Sequence, residues 1–189
     1  MISTTPLSRR FATRRKRAAA LAVLAGLLAA CSSGNKPSAG PQPSSTVPVP
    51  AACTPIRSPE ILGRSHIPEG TTTSYNTTPP TSGTHWPAPA VAGIYDEPLQ
   101  NEREVHNLEH GHVLIQYHDI TDDQVSLLEA VVKADPRMMV LAPYRNMDAA
   151  VALTAWGKIQ TCSAWDPGII ALVKEFVRLN RDHAPESIP

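Results

Sequence analysis

The chain has 189 residues, 42 % of them hydrophobic and 18 % charged, which is one domain's worth of core-forming sequence. Basic and acidic residues number 17 each, but six of the basic ones precede position 18, so the remainder carries 11 against 17, or about minus six. That surplus repels polyanions, argues against nucleic acid as a partner, and favours cations.

At the N-terminus, Arg9, Arg10, Arg14, Arg15, Lys16 and Arg17 precede an apolar run from Ala18 to Ala30, which ends in Leu28-Ala29-Ala30-Cys31. A charged start, a short apolar stretch and small residues before a cysteine form the pattern of a bacterial lipoprotein signal. The peptidase pocket is narrow, and the thiol of Cys31 is the group that takes up the diacylglyceryl chain. The apolar run of thirteen residues is shorter than the roughly twenty needed to span a bilayer. Residues 1–30 are therefore expected to be a signal peptide. The mature protein is expected to be lipid-anchored through Cys31 at the extracytoplasmic face of the cell membrane. Ser8-Arg9-Arg10-Phe11 leaves the export route open between the general and twin-arginine pathways.

Residues 31–52 are rich in Pro, Ser, Gly and Ala and hold hardly any bulky apolar side chain, so they read as a disordered, fairly extended spacer. A single globular domain is expected over 53–189. With Cys31 committed to lipid, Cys53 and Cys162 remain as an even pair in an oxidising compartment, and they are expected to form one disulfide. A redox or metal-binding thiol pair is the weaker alternative, since no C-x-x-C spacing is present.

Within the domain, the stretch from Arg57 to Glu104 is loop-rich, with Pro79-Pro80 and Pro87 to Pro89. Val113 to Tyr117 is a β-prone run, and Thr121-Asp122-Asp123 then caps a helix whose Val125, Leu128, Val131 and Val132 recur at helical spacing until Ala134-Asp135-Pro136. Strands are expected at Met138 to Ala142 and at Val151 to Trp156, the latter ending at Gly157. Asp166-Pro167 is expected to cap a last helix with Ile169, Leu172, Val173, Phe176 and Leu179 on one face. This order predicts an α+β fold: a mixed or antiparallel sheet with two covering helices and a long proline-rich loop region on its N-terminal side.

Six of the seven histidines fall between positions 66 and 118. His106 and His110 are four apart, so they share one face of a helical turn, and an extended chain would also keep them on one side. His112 and His118 are explained by alternation alone, as solvent-facing residues of the strand that buries Val113, Ile115 and Tyr117.

Several motifs carry a family resemblance. Gly63-Arg64-Ser65-His66, Tyr75, Pro79-Pro80-Thr81-Ser82-Gly83-Thr84-His85-Trp86, Gly93-Ile94-Tyr95, Val105-His106-Asn107-Leu108-Glu109-His110-Gly111, Ala142-Pro143-Tyr144, Ala155-Trp156-Gly157 and Pro185-Glu186 together resemble the family known as domain of unknown function 3105. The resemblance runs from about Arg57 onward and supports the domain boundary. It implies that His66, His85, His106, Glu109 and His110 belong to the family's motifs, a family with no assigned activity.

Clustered imidazoles repel one another on protonation and are relieved by a cation or an acidic partner, and neutral imidazole is a good ligand for zinc and copper. The expected metal site comprises His66, His85, His106, His110 and Met139, with Glu109 and the negative net charge assisting capture. A thioether favours copper, so copper ranks first and zinc is the alternative. Alternation lets only one of Met138 and Met139 join, and the remaining possibility is that both fill the core. A metal donor or acceptor protein is the partner this implies. The same residues fit two other roles. The histidines can instead be structural, pinning proline-rich loops to the sheet in a non-catalytic envelope binding or assembly module with Trp86, Tyr75 and Tyr95 as contact surface. A hydrolase would use Glu109 and His110 as acid and base with Ser82 as nucleophile, but no G-x-S-x-G or H-E-x-x-H motif supports it.

Overall fold

The structure, a computed structural model, describes residues 45–186. The expected signal peptide, Cys31 and the first part of the spacer lie outside the described residues. Among the described residues, no helix is long and apolar enough to cross a membrane.

A five-stranded mixed sheet organises the domain. In chain order the elements are β1 (Gly93–Ile94), α1 (Asn101–Glu109), β2 (Val113–Tyr117), α2 (Asp122–Ala134), β3 (Met139–Pro143), β4 (Val151–Ala155), β5 (Lys158–Cys162) and α3 (Ile169–Asn180). The spatial order is β1-β3-β2-β4-β5. β3 runs parallel to both β1 and β2, and α2 supplies the β2-to-β3 crossover that parallel pairing requires. β4 pairs antiparallel with β2 and β5. The α+β class and the mixed sheet are as expected, and the helix count differs because a third helix, α1, lies on the opposite face of the sheet from α2 and α3.

Alternation decides what each face buries. Val113, Ile115, Met139, Leu141, Val151 and Leu153 point toward Leu128 and Val132 of α2 and toward Ile169, Leu172, Val173 and Phe176 of α3. Leu114, Val140 and Ala142 point the other way and meet Leu108 of α1. The expected N-terminal cap of α2 is a full capping box: Gln124 N–H donates to Thr121 Oγ1 at 3.3 Å, and Thr121 N–H donates to Gln124 Oε1 at 3.0 Å. Three boundaries shift. β3 begins at Met139 because Met138 sits at φ 54°, outside the strand region. β4 ends at Ala155, and Trp156-Gly157 forms a two-residue connection to β5, with Gly157 at φ 62°. α3 begins at Ile169 with Gly168 at its N-cap, while Asp166 and Pro167 form the preceding turn, in which Asp166 Oδ1 accepts from Gly168 N–H at 2.7 Å.

The folded region extends further toward the N-terminus than Cys53. Thr46 N–H already donates to Glu175 Oε1 on α3 at 2.9 Å. From there the chain runs as a strap along β5, pairing Thr54 N–H with the Thr161 carbonyl and exchanging two hydrogen bonds between Arg57 and Ile159. The Cys53–Cys162 disulfide fastens this strap to the last residue of β5.

Beneath α1 lies a buried polar chain: Thr154 Oγ1 donates to Gln116 Oε1 at 3.1 Å, and Gln116 Nε2 donates to Glu104 Oε2 at 3.2 Å. Glu104 is buried, its Oε1 has no partner among the described residues, and desolvation pushes its carboxyl up to about 8, against the lowering effect of Gln116. The folded state thus keeps a proton that the unfolded chain loses near pH 4.5. Stability therefore falls as pH rises from that value to about 8 and then levels off. In chelator-treated protein, Glu104→Gln should remove this slope, so its gain in melting temperature over the wild type should grow between pH 5 and pH 8. A gain independent of pH would place the proton elsewhere.

Candidate metal centre

Three segments build the site. The first two are loop strands, Ser65 to Ile67 and Gly83 to His85, joined as a short parallel bridge in which His85 N–H donates to the Ser65 carbonyl at 3.0 Å and Ile67 N–H donates to the His85 carbonyl at 2.8 Å. This bridge sets His66 beside His85. The third is α1, on which His106, Glu109 and His110 occupy positions i, i+3 and i+4 and so share one face, while Glu104 and Leu108, four apart, meet the sheet. Asn107 clamps the loop to the helix, its Oδ1 accepting from Ala90 N–H at 2.9 Å and its Nδ2 donating to the Ala90 carbonyl at 2.8 Å.

The proline-rich loop is buried from Pro79 to Gly83 and again at His85 and Trp86. It is held because Gly157 N–H donates to the Thr81 carbonyl at 2.9 Å and Leu62 N–H donates to Ser82 Oγ at 3.0 Å. Gly83 is required by this geometry: it sits at φ 130°, and a Cβ there would lie 3.1 Å from the Tyr75 ring.

Ring contacts tie the imidazoles into one cluster. Ring centroids are separated by 4.9 Å for His66 and His85, 5.1 Å for His66 and His106, 5.0 Å for His85 and His106, and 4.6 Å for His106 and His110. His66, His85 and His106 each offer a ligand atom, all within 4.8 Å of one another. His85 and His106 are buried, whereas the His66 side chain is 50 % exposed, so solvent reaches the cluster on the His66 side.

Hydrogen bonding fixes which nitrogen faces inward. His85 Nδ1 lies 2.8 Å from the Gly83 carbonyl and His106 Nδ1 lies 2.6 Å from the Trp86 carbonyl. A carbonyl only accepts, so both Nδ1 atoms carry the proton, and in the neutral ring each Nε2 carries the lone pair, that of His106 lying 2.7 Å from His110 Nε2. His85 Nε2 is buried without a hydrogen bond, yet it stands 3.0 Å from Glu109 Oε2, with His66 Nε2 4.0 Å from the same oxygen. Burial lowers the His106 pKa, its bond to Trp86 opposes that, and the neighbouring His110, His85 and His66 lower it further, so its neutral form is favoured.

Not every expected residue joins this group. The structure places Met139 in the core between the sheet and α2 and α3, 1 % exposed and on the face opposite α1, so its thioether is not brought to the imidazoles. Met138 lies outside β3, its sulfur facing Arg137. His112 is not solvent-facing: it is buried just beyond the helix, its backbone N–H donating to the Asn107 carbonyl, and burial lowers its pKa. His118 is partly exposed at the far end of β2. Ser82 is fully buried, so the fold does not present it as a nucleophile. The aromatic residues pack the loops: Trp86 is buried with its Nε1 donating to Thr71, and the Tyr75 and Tyr95 hydroxyls donate to the carbonyls of Thr84 and Val91. The orienting carbonyls of Gly83 and Trp86 are not legible in the sequence, since main-chain acceptors leave no signature beyond the glycine itself.

A family model described as protein of unknown function (DUF3105) matches residues 66–188. No curated protein and no solved structure matches the chain.

Proposed function

From the premise that the chain belongs to the DUF3105 family, whose description assigns no activity, we propose that it binds one divalent transition-metal ion through His66, His85 and His106, with Glu109 supplying negative charge and an oxygen donor. One observation carries the reading: two buried imidazoles commit Nδ1–H to backbone carbonyls, which leaves their Nε2 atoms as the donors of a cluster completed by His66 and a buried carboxylate. Ligating histidines commonly have their second nitrogen tied to an acceptor in this way, which sets the tautomer and the ring direction. Zinc–nitrogen bonds of about 2.0–2.1 Å place tetrahedral ligand nitrogens about 3.3 Å apart. The cluster therefore contracts on binding, and the half-exposed His66, on a segment flanked by glycines at φ 93° and 88°, has the most freedom to move. The donors are nitrogen and oxygen. That set suits zinc and copper(II), and with Met139 in the core nothing favours copper(I).

In the same reading, the protein is tethered through Cys31 to the outer face of the cell membrane. A metal donor or acceptor protein would approach on the His66 side. A second reading is favoured by the 3.0 Å contact between His85 and Glu109: an imidazolium–carboxylate pair that merely holds the loop on α1. It leaves the convergence of the half-exposed His66 on the two buried rings without a purpose. Elemental analysis of untagged protein exported to an oxidising compartment separates the two. About one equivalent of zinc or copper per chain is expected, and protein that neither carries nor takes up either metal would leave only the scaffold.

A further inference from the structure

We propose that His110 competes with the ion rather than ligating it: in the metal-free site it closes the lone pair of His106, and metal binds only as that hydrogen bond opens. This rests on the metal reading above. His110 Nε2 lies 2.7 Å from His106 Nε2. Because His106 Nδ1–H is committed to the Trp86 carbonyl, the neutral His106 ring has no proton on Nε2, so the bridging proton belongs to His110, which donates. His110 Nδ1 is then the bare nitrogen, and it is buried without a hydrogen-bond partner among the described residues. The separation is that of a hydrogen bond in the metal-free site rather than of a preformed pair of ligands. Two imidazole nitrogens on one tetrahedral ion stand about 3.3 Å apart, and these two are closer, at hydrogen-bond distance.

The position of His110 allows it to withdraw. It is the C-cap of α1, one residue before Gly111, which turns the chain at φ 83°, whereas His106 is held in the body of the helix with both neighbours buried. The ion and the His110 N–H both require the same lone pair, so the site carries a built-in competitor next to one of its two buried ligands. Whatever draws His110 aside raises the affinity of the other three imidazoles.

Titration with Co2+, read by its visible ligand-field bands and by competition with a chromophoric chelator, tests this on the wild type, His110→Ala and His106→Ala. With the competitor removed, His110→Ala should bind Co2+ about fivefold more tightly, equivalent to one hydrogen bond of roughly 1 kcal/mol, with the same stoichiometry and the same bands. His106→Ala should lose binding. A weaker His110→Ala site, altered bands or unchanged affinity would each overturn the proposal while leaving the metal reading intact, whereas a wild type that takes up no Co2+ would bring down both. Ring nitrogen-15 shifts of the metal-free wild type give a check that needs no variant. His110 should be protonated at Nε2 and His106 at Nδ1, and the reverse arrangement would sink the idea.

Discussion

His85→Ala and His106→Ala should each lower affinity for Zn2+ or Co2+ by more than about 100-fold, while Met139→Leu and His112→Ala leave it within about threefold. The size of the effect follows from the position of each residue. Removing a residue that only orients a ligand costs about 10- to 100-fold in metal affinity, and removing the ligand itself exceeds that. His85 and His106 are the two donors whose rings are already locked by bonds to backbone carbonyls, so their loss removes the preformed part of the site. Met139 lies across the sheet, and a volume-conserving exchange there costs less than about 1.5 kcal/mol of stability without touching the imidazoles. His66→Ala should fall between these limits, because the exposed ligand leaves its place to solvent. Competition with a chromophoric chelator, with thermal melts confirming that each variant is folded, reads the series. Equal losses at His112 or Met139 would show that the variants act through the fold, and retention of binding in His85→Ala would remove the site.

How far the sequence reveals this arrangement depends on what each element uses to bury itself. β2, α2 and α3 were legible because their burial is carried by apolar side chains in regular spacing, and α2 announces its start with Thr121 and Gln124. α1 leaves no apolar periodicity in the sequence, since its only apolar residues are Val105 and Leu108. The rest of its buried surface is polar, with Glu104 and Asn107 accommodated by Gln116 and by the backbone of Ala90. β5 reads as Lys-Ile-Gln-Thr-Cys, too polar to suggest a buried strand, and its burial is explained by the strap on its outer edge, where Gln160 Nε2 reaches the Thr54 carbonyl at 2.8 Å. β1 has only two residues, below any pattern's reach.

For the site, the four-residue spacing of His106 and His110 was informative because a helix makes it a contact. The meeting of His66 with His85 was not, since a bridge between two irregular segments has no period. Alternation did not apply to the two methionines, because Met138 precedes β3 at φ 54° and Met139 alone lies on the strand. Nor could it tell which face the histidines share, and the placement of α1 put them opposite Met139.

Opening the Cys53–Cys162 bond, by reduction or by the double substitution to alanine, should destabilise the domain by about 2–5 kcal/mol while the folded protein keeps its metal affinity within a few fold. The bond joins residues 109 apart, so it removes much freedom from the unfolded chain. In the folded state it secures the strap to β5 at one point among several, since Arg57 and Ile159 retain their two hydrogen bonds and Thr54 its bond to Thr161. The path from the strap to His66 is held independently further on. Gly83 N–H bonds the Gly63 carbonyl at 3.0 Å, and His85 bonds Ser65 and Ile67 on either side of His66. The cysteines are thus far from the ligands in bonding, and stability and metal binding should separate on their removal. Denaturant midpoints with and without reductant, set beside chelator competition at a temperature where both forms are folded, measure the two effects. A protein that stays equally stable with the bond open, and whose metal affinity rises on reduction but not on substitution to alanine, would instead assign the thiols to the metal, and the structural role of this disulfide would have to be given up.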